Sequence, residues 1–248
     1  MELGIDGRRA AVAGASSGLG LATARALAAE GVRVVIGGRD SDRLEAAAAT
    51  IGGEVVAITG DVSTPDGATT WATAASEVFG GIDIAITNAG GPPPGTFAST
   101  ALEAYPAALD LSLLSVVAMC KVFVPPMQRA GWGRVIAITS VSVRQPLPYL
   151  ILSNTARAGA TGFLKTLALE VAPDGVTVNS VLPASHLTDR IRALHGDDLT
   201  KATEGIPVGE LGRPEDFGAV VAFLCSDHAR FITGSAIPVD GGSIRGLL

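Results

Sequence analysis

The sequence predicts an α/β fold: one doubly wound domain whose seven-stranded parallel sheet carries helices on both faces. Three observations carry that prediction. Short β-branched runs alternate with longer Ala/Leu-rich stretches at helical spacing, the order expected of parallel strands joined by helical crossovers. The strand runs are apolar nearly throughout, as strands covered on both faces must be. No interdomain linker and no repeat of solenoid period interrupts the 248 residues, a length ordinary for one α/β domain.

From the N-terminus, "RAAVAG" at 9–14 is the first strand, and a helix follows over 19–30. "VRVVIGG" at 32–38 is the second strand and leads into a helix over 40–51. "EVVAIT" at 54–59 and "IDIAIT" at 82–87 are the third and fourth. The segment "GGPPPGT" at 90–96 is a Gly/Pro-rich loop, too short for a low-complexity linker. An apolar helix over 103–127 precedes "RVIAITS" at 134–140, and another over 150–172 precedes "VTVNSVL" at 176–182. Residues 188–210 read as two short helices broken at Gly196, expected to form a lid over a substrate. "SAIPVD" at 235–240 completes the sheet.

Composition narrows the function classes. Apolar residues make up 48% of the chain, enough for a sizeable core. The net charge is -6 and the basic residues are scattered, so no concentrated positive face for nucleic acid is expected. A local site for one small anion is still compatible with that charge. Cys120 and Cys225 each sit in an apolar run and read as reduced core thiols. "MELGIDGRRA" lacks the apolar stretch of a signal peptide, and no uninterrupted apolar run reaches the ~18 residues of a spanning helix. A cytoplasmic protein without a membrane partner is the expectation. No His/Cys/Asp grouping has metal-ligand spacing, so no metal is expected.

The stretch "GASSGLG", Gly14, Ser16, Ser17, Gly18, Leu19 and Gly20 among it, follows the first strand and opens the first helix. Glycines there permit a tight turn and close backbone approach, and a helix N-terminus offers free N–H groups to a pyrophosphate. This is the setting of a dinucleotide site in a Rossmann-like domain.

The spacing of Gly14, Gly18 and Gly20 resembles the short-chain dehydrogenase/reductase family, its 3-oxoacyl-[acyl-carrier-protein] reductase-like members in particular. The resemblance runs over essentially the whole chain. "GDVS" at 60–63 resembles the family's adenine contact and implies roles for Asp61 and Val62. "TNAG" at 87–90 resembles the turn after the fourth strand and implies Asn88, Ala89 and Gly90. "LPASHLT" at 182–188 resembles the segment beside the nicotinamide and implies Pro183 and Thr188. Residues 212–242 resemble the C-terminal signature throughout. Two departures are Ala13, where threonine is frequent, and Ala184, where glycine is.

Nucleotide choice is read at the end of the second strand. A carboxylate there would bind a ribose 2′-hydroxyl and repel a 2′-phosphate. The chain has Gly37-Gly38-Arg39 instead, and Arg39 is a charge-assisted partner for a 2′-phosphate. NADP(H) is therefore expected over NAD(H).

The resemblance implies a catalytic set of Asn, Ser, Tyr and Lys, in which the phenol supplies the proton as hydride moves. Ser140 occupies the serine position, but the tyrosine and lysine positions hold Ser153 and Arg157, and the asparagine position holds Ser112. An alkyl hydroxyl is a far weaker acid than a phenol of pKa about 10. Arg157 keeps the positive charge for ribose binding but stays protonated. Ser112 is too short to copy an amide's donor and acceptor together. Tyr149 lies one helical turn before Ser153, and reads either as a replacement acid or as a packing tyrosine at the helix start. His186 reads as a hydrogen-bonded loop residue, with an acid near neutral pH as the alternative. His195 and His228 have no partner visible in sequence.

Three readings stand at this point: an atypical NADP(H)-dependent oxidoreductase acting on a carbonyl, imine or enone, a repurposed non-redox enzyme, and a cofactor-binding scaffold. Each binds a small molecule or a nucleotide. The helices over 103–127 and 150–172 are apolar on more faces than a monomer needs, and their resemblance to the family's interface pair implies a homotetramer, with a dimer as the alternative.

Overall fold

The structure, a computed structural model, describes residues 1–196 and 198–247, without the side chains of Arg190, Leu194 and His195. The side chain of His195 and part of the expected lid, Asp197, thus lie outside what is described. Among the described residues one sheet of seven strands runs in the order β3-β2-β1-β4-β5-β6-β7, with every pairing parallel. The strands are β1 Arg9–Val12, β2 Arg33–Gly38, β3 Val55–Thr59, β4 Ile84–Thr87, β5 Gly133–Ile138, β6 Val176–Pro183 and β7 Ala236–Val239.

The continuous apolar runs resolve into two cores by strand alternation. Ala10, Val12, Val34, Ile36, Ile84, Ile86, Ile136 and Ile138 face one side, where Leu27 and Phe217 meet them. Ala11, Ala13, Val35, Ala85, Val135 and Ala137 face the other, against Trp71, Met119, Phe123 and Met127. The small alanines of the second face leave the room that the bulky rings and thioethers fill, which is how close packing is reached. Helices α1 Gly18–Ala29, α2 Ser41–Ala48 and α3 Pro65–Val78 occupy the first half of the chain. Thr64 caps α3 by accepting from the Gly67 N–H at 3.2 Å, with Pro65 at the first helical position.

The helix expected over 103–127 is continuous but not uniform. It comprises α4 Ala104–Leu109, a π-helical turn Asp110–Leu114, and α5 Ser115–Ala130. In that turn Ser115 Oγ donates to the Leu111 carbonyl at 2.7 Å. By length and composition this helix is long and apolar enough to cross a membrane, although Asp110 and Lys121 interrupt its apolar run. Its Met119, Cys120, Phe123 and Met127 are built into the second core.

Helix α6 Ile151–Val171 buries Leu152, Ala156, Ala160, Leu164, Ala168 and Val171, a stripe at helical spacing that holds it against the sheet. Two short helices follow β6, α7 Asp189–His195 and α8 Thr200–Thr203, with Gly196 at φ 60° after the first. The last helix, α9 Pro214–Cys225, packs its Phe217 and Val221 into the first core. Strand order reverses between β1 and β4, and a crevice opens there at the C-terminal strand ends.

Candidate active site

The crevice is a cleft of about 1070 Å³, with walls from the β1–α1 turn, the ends of β4, β5 and β6, the start of α6 and the segment after β6. Gly14 and Gly18 adopt φ 59° and 58°, conformations that a side chain would strain. At Gly20 a Cβ would strike the Gly14 carbonyl, so this turn closes only with glycine. Asn88 Nδ2 donates to that same carbonyl at 3.1 Å and ties the turn to the end of β4. Ser17 precedes α1 without making a side-chain cap bond. The first N–H groups of the helix are left with their dipole directed at the cleft, where Ser17, Gly18, Leu19 and Gly20 form the wall. A pyrophosphate fits this cradle on geometry as well as charge.

The central wall holds three of the residues singled out from sequence, Ser140, Ser153 and Arg157. Ser140 ends β5 and its Oγ accepts from the Ser142 N–H at 3.1 Å, so its own hydrogen remains to be donated. Ser153 is 9% exposed, on the buried stripe of α6. Arg157, one turn further on, is held by backbone carbonyls. Its Nη1 donates to Ile138 O at 3.0 Å and Thr139 O at 3.1 Å, and its Nη2 donates to Gly90 O at 3.3 Å. The guanidinium therefore ties the loop after β4 to the end of β5 and fixes a cation in the cleft wall that also holds the two hydroxyls.

Pro183, Ala184, His186 and Thr188 form the wall after β6, with Asn88 and Ala89 opposite. His186 is a buried loop residue. Its Nδ1 lies 3.2 Å from Ala184 O, and its ring meets Phe217 edge-on at 5.2 Å between centroids. Burial pushes the imidazole below its ordinary pKa, against the raising effect of the Ala184 carbonyl. The neutral ring then places its proton on Nδ1 and a lone pair on Nε2, an assignment made from the hydrogen bond. This form accepts a hydrogen bond at Nε2 and is no acid at neutral pH.

Other expected residues stand away from the cleft walls. Tyr149 precedes α6 at φ 62°, its carbonyl accepts from Gly95 N at 2.7 Å, and the residue is 69% exposed and not among those lining the cleft. Ser112 is buried in the π turn, its Oγ without a hydrogen-bond partner among the described residues. Gly14 and Ser16 of the glycine turn are not among the residues lining the cleft, Gly90 contributes its carbonyl to Arg157, and Val62 packs on the second core. Asp61 Oδ1 accepts from Ser63 N at 2.9 Å on the exposed surface. Arg39 is exposed at the end of β2, outside the cleft wall. His228 bonds the Glu2 carbonyl at 2.9 Å, far from the cleft.

Sequence reasoning missed Arg43, Gln145 and Arg245, which line the cleft, and it reached Glu204 and Ile206 only as part of the expected lid over 188–210. Arg43 lies one helical turn beyond Arg39, and its position on a helix after the second strand was a usable signal. It pairs with Asp189 at 3.5 Å across the cleft mouth. Asp40, the one carboxylate beside Arg39, is turned inward as the α2 cap, accepting from Arg43 N at 3.0 Å. Gln145 and Arg245 are joined only by the tertiary fold, and no local pattern could have linked them.

Comparison with known proteins gives a consistent outcome. A family model described as enoyl-(acyl carrier protein) reductase matches residues 14–243. The chain is 36% identical to a 3-oxoacyl-[acyl-carrier-protein] reductase of Synechocystis, over 95% of this chain and 96% of that one. It is similar in structure to L-sorbose reductase of Gluconobacter frateurii in complex with NADPH and L-sorbose, at TM-score 0.93, 34% identity and full coverage of both chains. It is also similar to an NADPH-bound short-chain oxidoreductase of Pseudomonas aeruginosa PAO1 that contains an atypical catalytic center, at TM-score 0.90 and 31% identity, over 97% of this chain and 99% of that one.

Proposed function

The chain belongs to the short-chain dehydrogenase/reductase family and is an oxidoreductase, and from that premise we propose an NADP(H)-dependent enzyme that moves hydride to or from a conjugated enone, imine or activated carbonyl. The observation that carries this reading is the central wall: two hydroxyl donors and a fixed cation, with no phenol among the described residues lining the cleft. The nucleotide, when bound, supplies or takes the hydride. Ser17, Gly18, Leu19 and Gly20 would hold its pyrophosphate, and Arg43 with Arg39 its 2′-phosphate. NADPH-bound neighbours support that choice.

The chain's own part in the chemistry follows from its residues. Ser140 and Ser153 donate hydrogen bonds to a substrate oxygen where negative charge develops, and Arg157 adds a fixed positive potential in the same wall. Neither hydroxyl is acidic enough to give up its proton completely, and Arg157 stays charged. An isolated ketone, which needs a whole proton as its alkoxide forms, is served poorly by this set. An enone, whose charge rests on an enolate oxygen, is served well, and an iminium ion, which becomes a neutral amine, needs no proton from this set. The test is oxidation of NADPH by the purified protein across panels of enones, iminium ions and simple ketones. Turnover of the first two classes above the third supports the proposal, and none in any class overturns it.

The finer assignments follow the same reading. Leu114 and Leu169 stand 41% and 69% exposed on the long helices, which supports a homotetramer built through those helices, with a dimer as the alternative. Light scattering distinguishes them. Helices α7 and α8 form the substrate lid. Cys120 and Cys225 are buried thiols pushed up to about 12, inert in the manner of core residues and in keeping with a cytoplasmic setting.

A further inference from the structure

The end of the cleft away from the glycine turn has its own chemistry. Leu147, Leu150, Ile191 and Ile206 give it apolar walls, and Gln145 and Arg245 stand at its rim. Arg245 belongs to the C-terminal segment, which the fold holds by a set of hydrogen bonds. The Asp240 carboxylate accepts from Gly242 N at 3.0 Å and Ile244 N at 2.8 Å, and Ser243 Oγ donates to the Asp240 carbonyl at 2.7 Å. The Arg245 N–H itself donates to Gln145 Oε1 at 3.0 Å, across 100 residues of sequence. Val208 N donates to Gly241 O at 3.1 Å, joining this segment to the stretch after α8. The backbone of Arg245 is thus positioned by both the segment after β5 and the expected lid.

The guanidinium that this turn carries makes no ion pair among the described residues, although it lines the cleft. Glu204 lines the same region, at the end of the four-residue helix α8. Gln145 uses its Oε1 on the Arg245 backbone, so its amide N–H groups are the donors left at that wall. A planar fork of donors beside an amide donor, above apolar walls, matches one kind of ligand: an apolar body ending in an oxyanion.

Resting on the proposed hydride-transfer reading of the same cleft, we propose that the substrate carries a carboxylate or phosphate group distal to its reacting carbon, and that Arg245, supported by Gln145, is the residue that selects it. The anion would sit at the rim, while the apolar body lies against Leu147, Leu150 and Ile206 and the reacting oxygen meets Ser140 and Ser153.

The test is calorimetric titration of the NADP+-loaded protein, in which no hydride can be donated to the probes. The probes are benzoylacrylate against its methyl ester, and phenyl phosphate against its dimethyl ester. Wild-type protein is expected to bind at least one anion about tenfold or more tightly than the matching ester. The better of the two anions identifies the group. In Arg245→Gln that preference should fall to within about twofold, with NADP+ affinity retained as the measure of an intact fold, while Glu204→Gln should keep or enlarge it. Absence of any preference in wild type, or its survival in Arg245→Gln, overturns the proposal. The functional reading fails separately, by loss of NADP+ binding or of NADPH oxidation. The probe titration reports on Arg245 with or without nucleotide.

Discussion

The two ends of the central sheet spend their polar residues differently. At the N-terminal ends of the strands, charge is paired within the protein. The Arg9 backbone N–H and Nε reach Asp83 Oδ2 at 3.0 and 2.8 Å, and Nη2 reaches Oδ1 at 2.7 Å. Burial would raise the Asp83 carboxyl, but the Arg9 hydrogen bonds outweigh it and hold the group below its ordinary value. Arg8 and Arg134 lie over the Trp132 ring at 3.8 and 4.2 Å. At the C-terminal ends, by contrast, Ser140, Ser153 and the α1 N-terminus turn their donors to an open cleft. One end holds the fold and the other leaves hydrogen-bonding capacity for ligands. Arg157 is the exception that belongs to both, a tie from the loop after β4 to the end of β5 that also charges the site.

Substitutions at the two ends should therefore separate stability from binding. The largest effect is expected from Asp83→Ala, which removes three charge-assisted hydrogen bonds from Arg9 and should lower unfolding free energy by about 3 kcal/mol in urea titrations. NADPH affinity, measured on the folded fraction, should be unchanged, and a parallel loss of affinity would break the contrast. Gly20→Ala at the opposite end should weaken NADPH binding about a hundredfold, because the added methyl group displaces the turn that presents the α1 N–H groups. Ser140→Ala removes one hydroxyl donor from the central wall and should slow hydride transfer about tenfold to a hundredfold with little change in nucleotide affinity. An unchanged rate would remove Ser140 from the chemistry.

The smallest effect concerns pH. The folded state holds His186 neutral more strongly than the unfolded chain does, since burial lowers its pKa. The unfolded chain then binds more protons as pH falls below about 6.5, so this contribution to stability is complete above that value and declines below it. Wild-type protein should lose more thermal stability between neutral and mildly acidic pH than His186→Asn does, and equal losses would contradict the assignment.

What the sequence disclosed follows from the range of the interactions involved. The strands and the glycine turn are local patterns, and they were readable as such. The π turn that carries Ser112 was not, because a helical pattern over 103–127 is apolar on either side of the inserted residue. Spacing put Tyr149 one turn before Ser153, at the start of α6 or in the loop before it, and its backbone carbonyl is bonded by Gly95, 54 residues away by number. Arg39 was the legible arginine near the second strand, yet the cleft wall is made by Arg43, whose side chain follows the course of α2. Gln145 and Arg245 meet only after the sheet has brought β5 and β7 to one crevice.

The proposed function turns on hydride transfer that proceeds without a phenol at position 153. Single-turnover mixing of the NADPH-loaded enzyme with an enone and with a simple ketone tests it directly, in wild type and in Ser153→Tyr/Arg157→Lys. The account predicts wild-type transfer to the enone alone, with ketone reduction appearing in the double variant. Ketone reduction by the wild type at the rate of the double variant would contradict it.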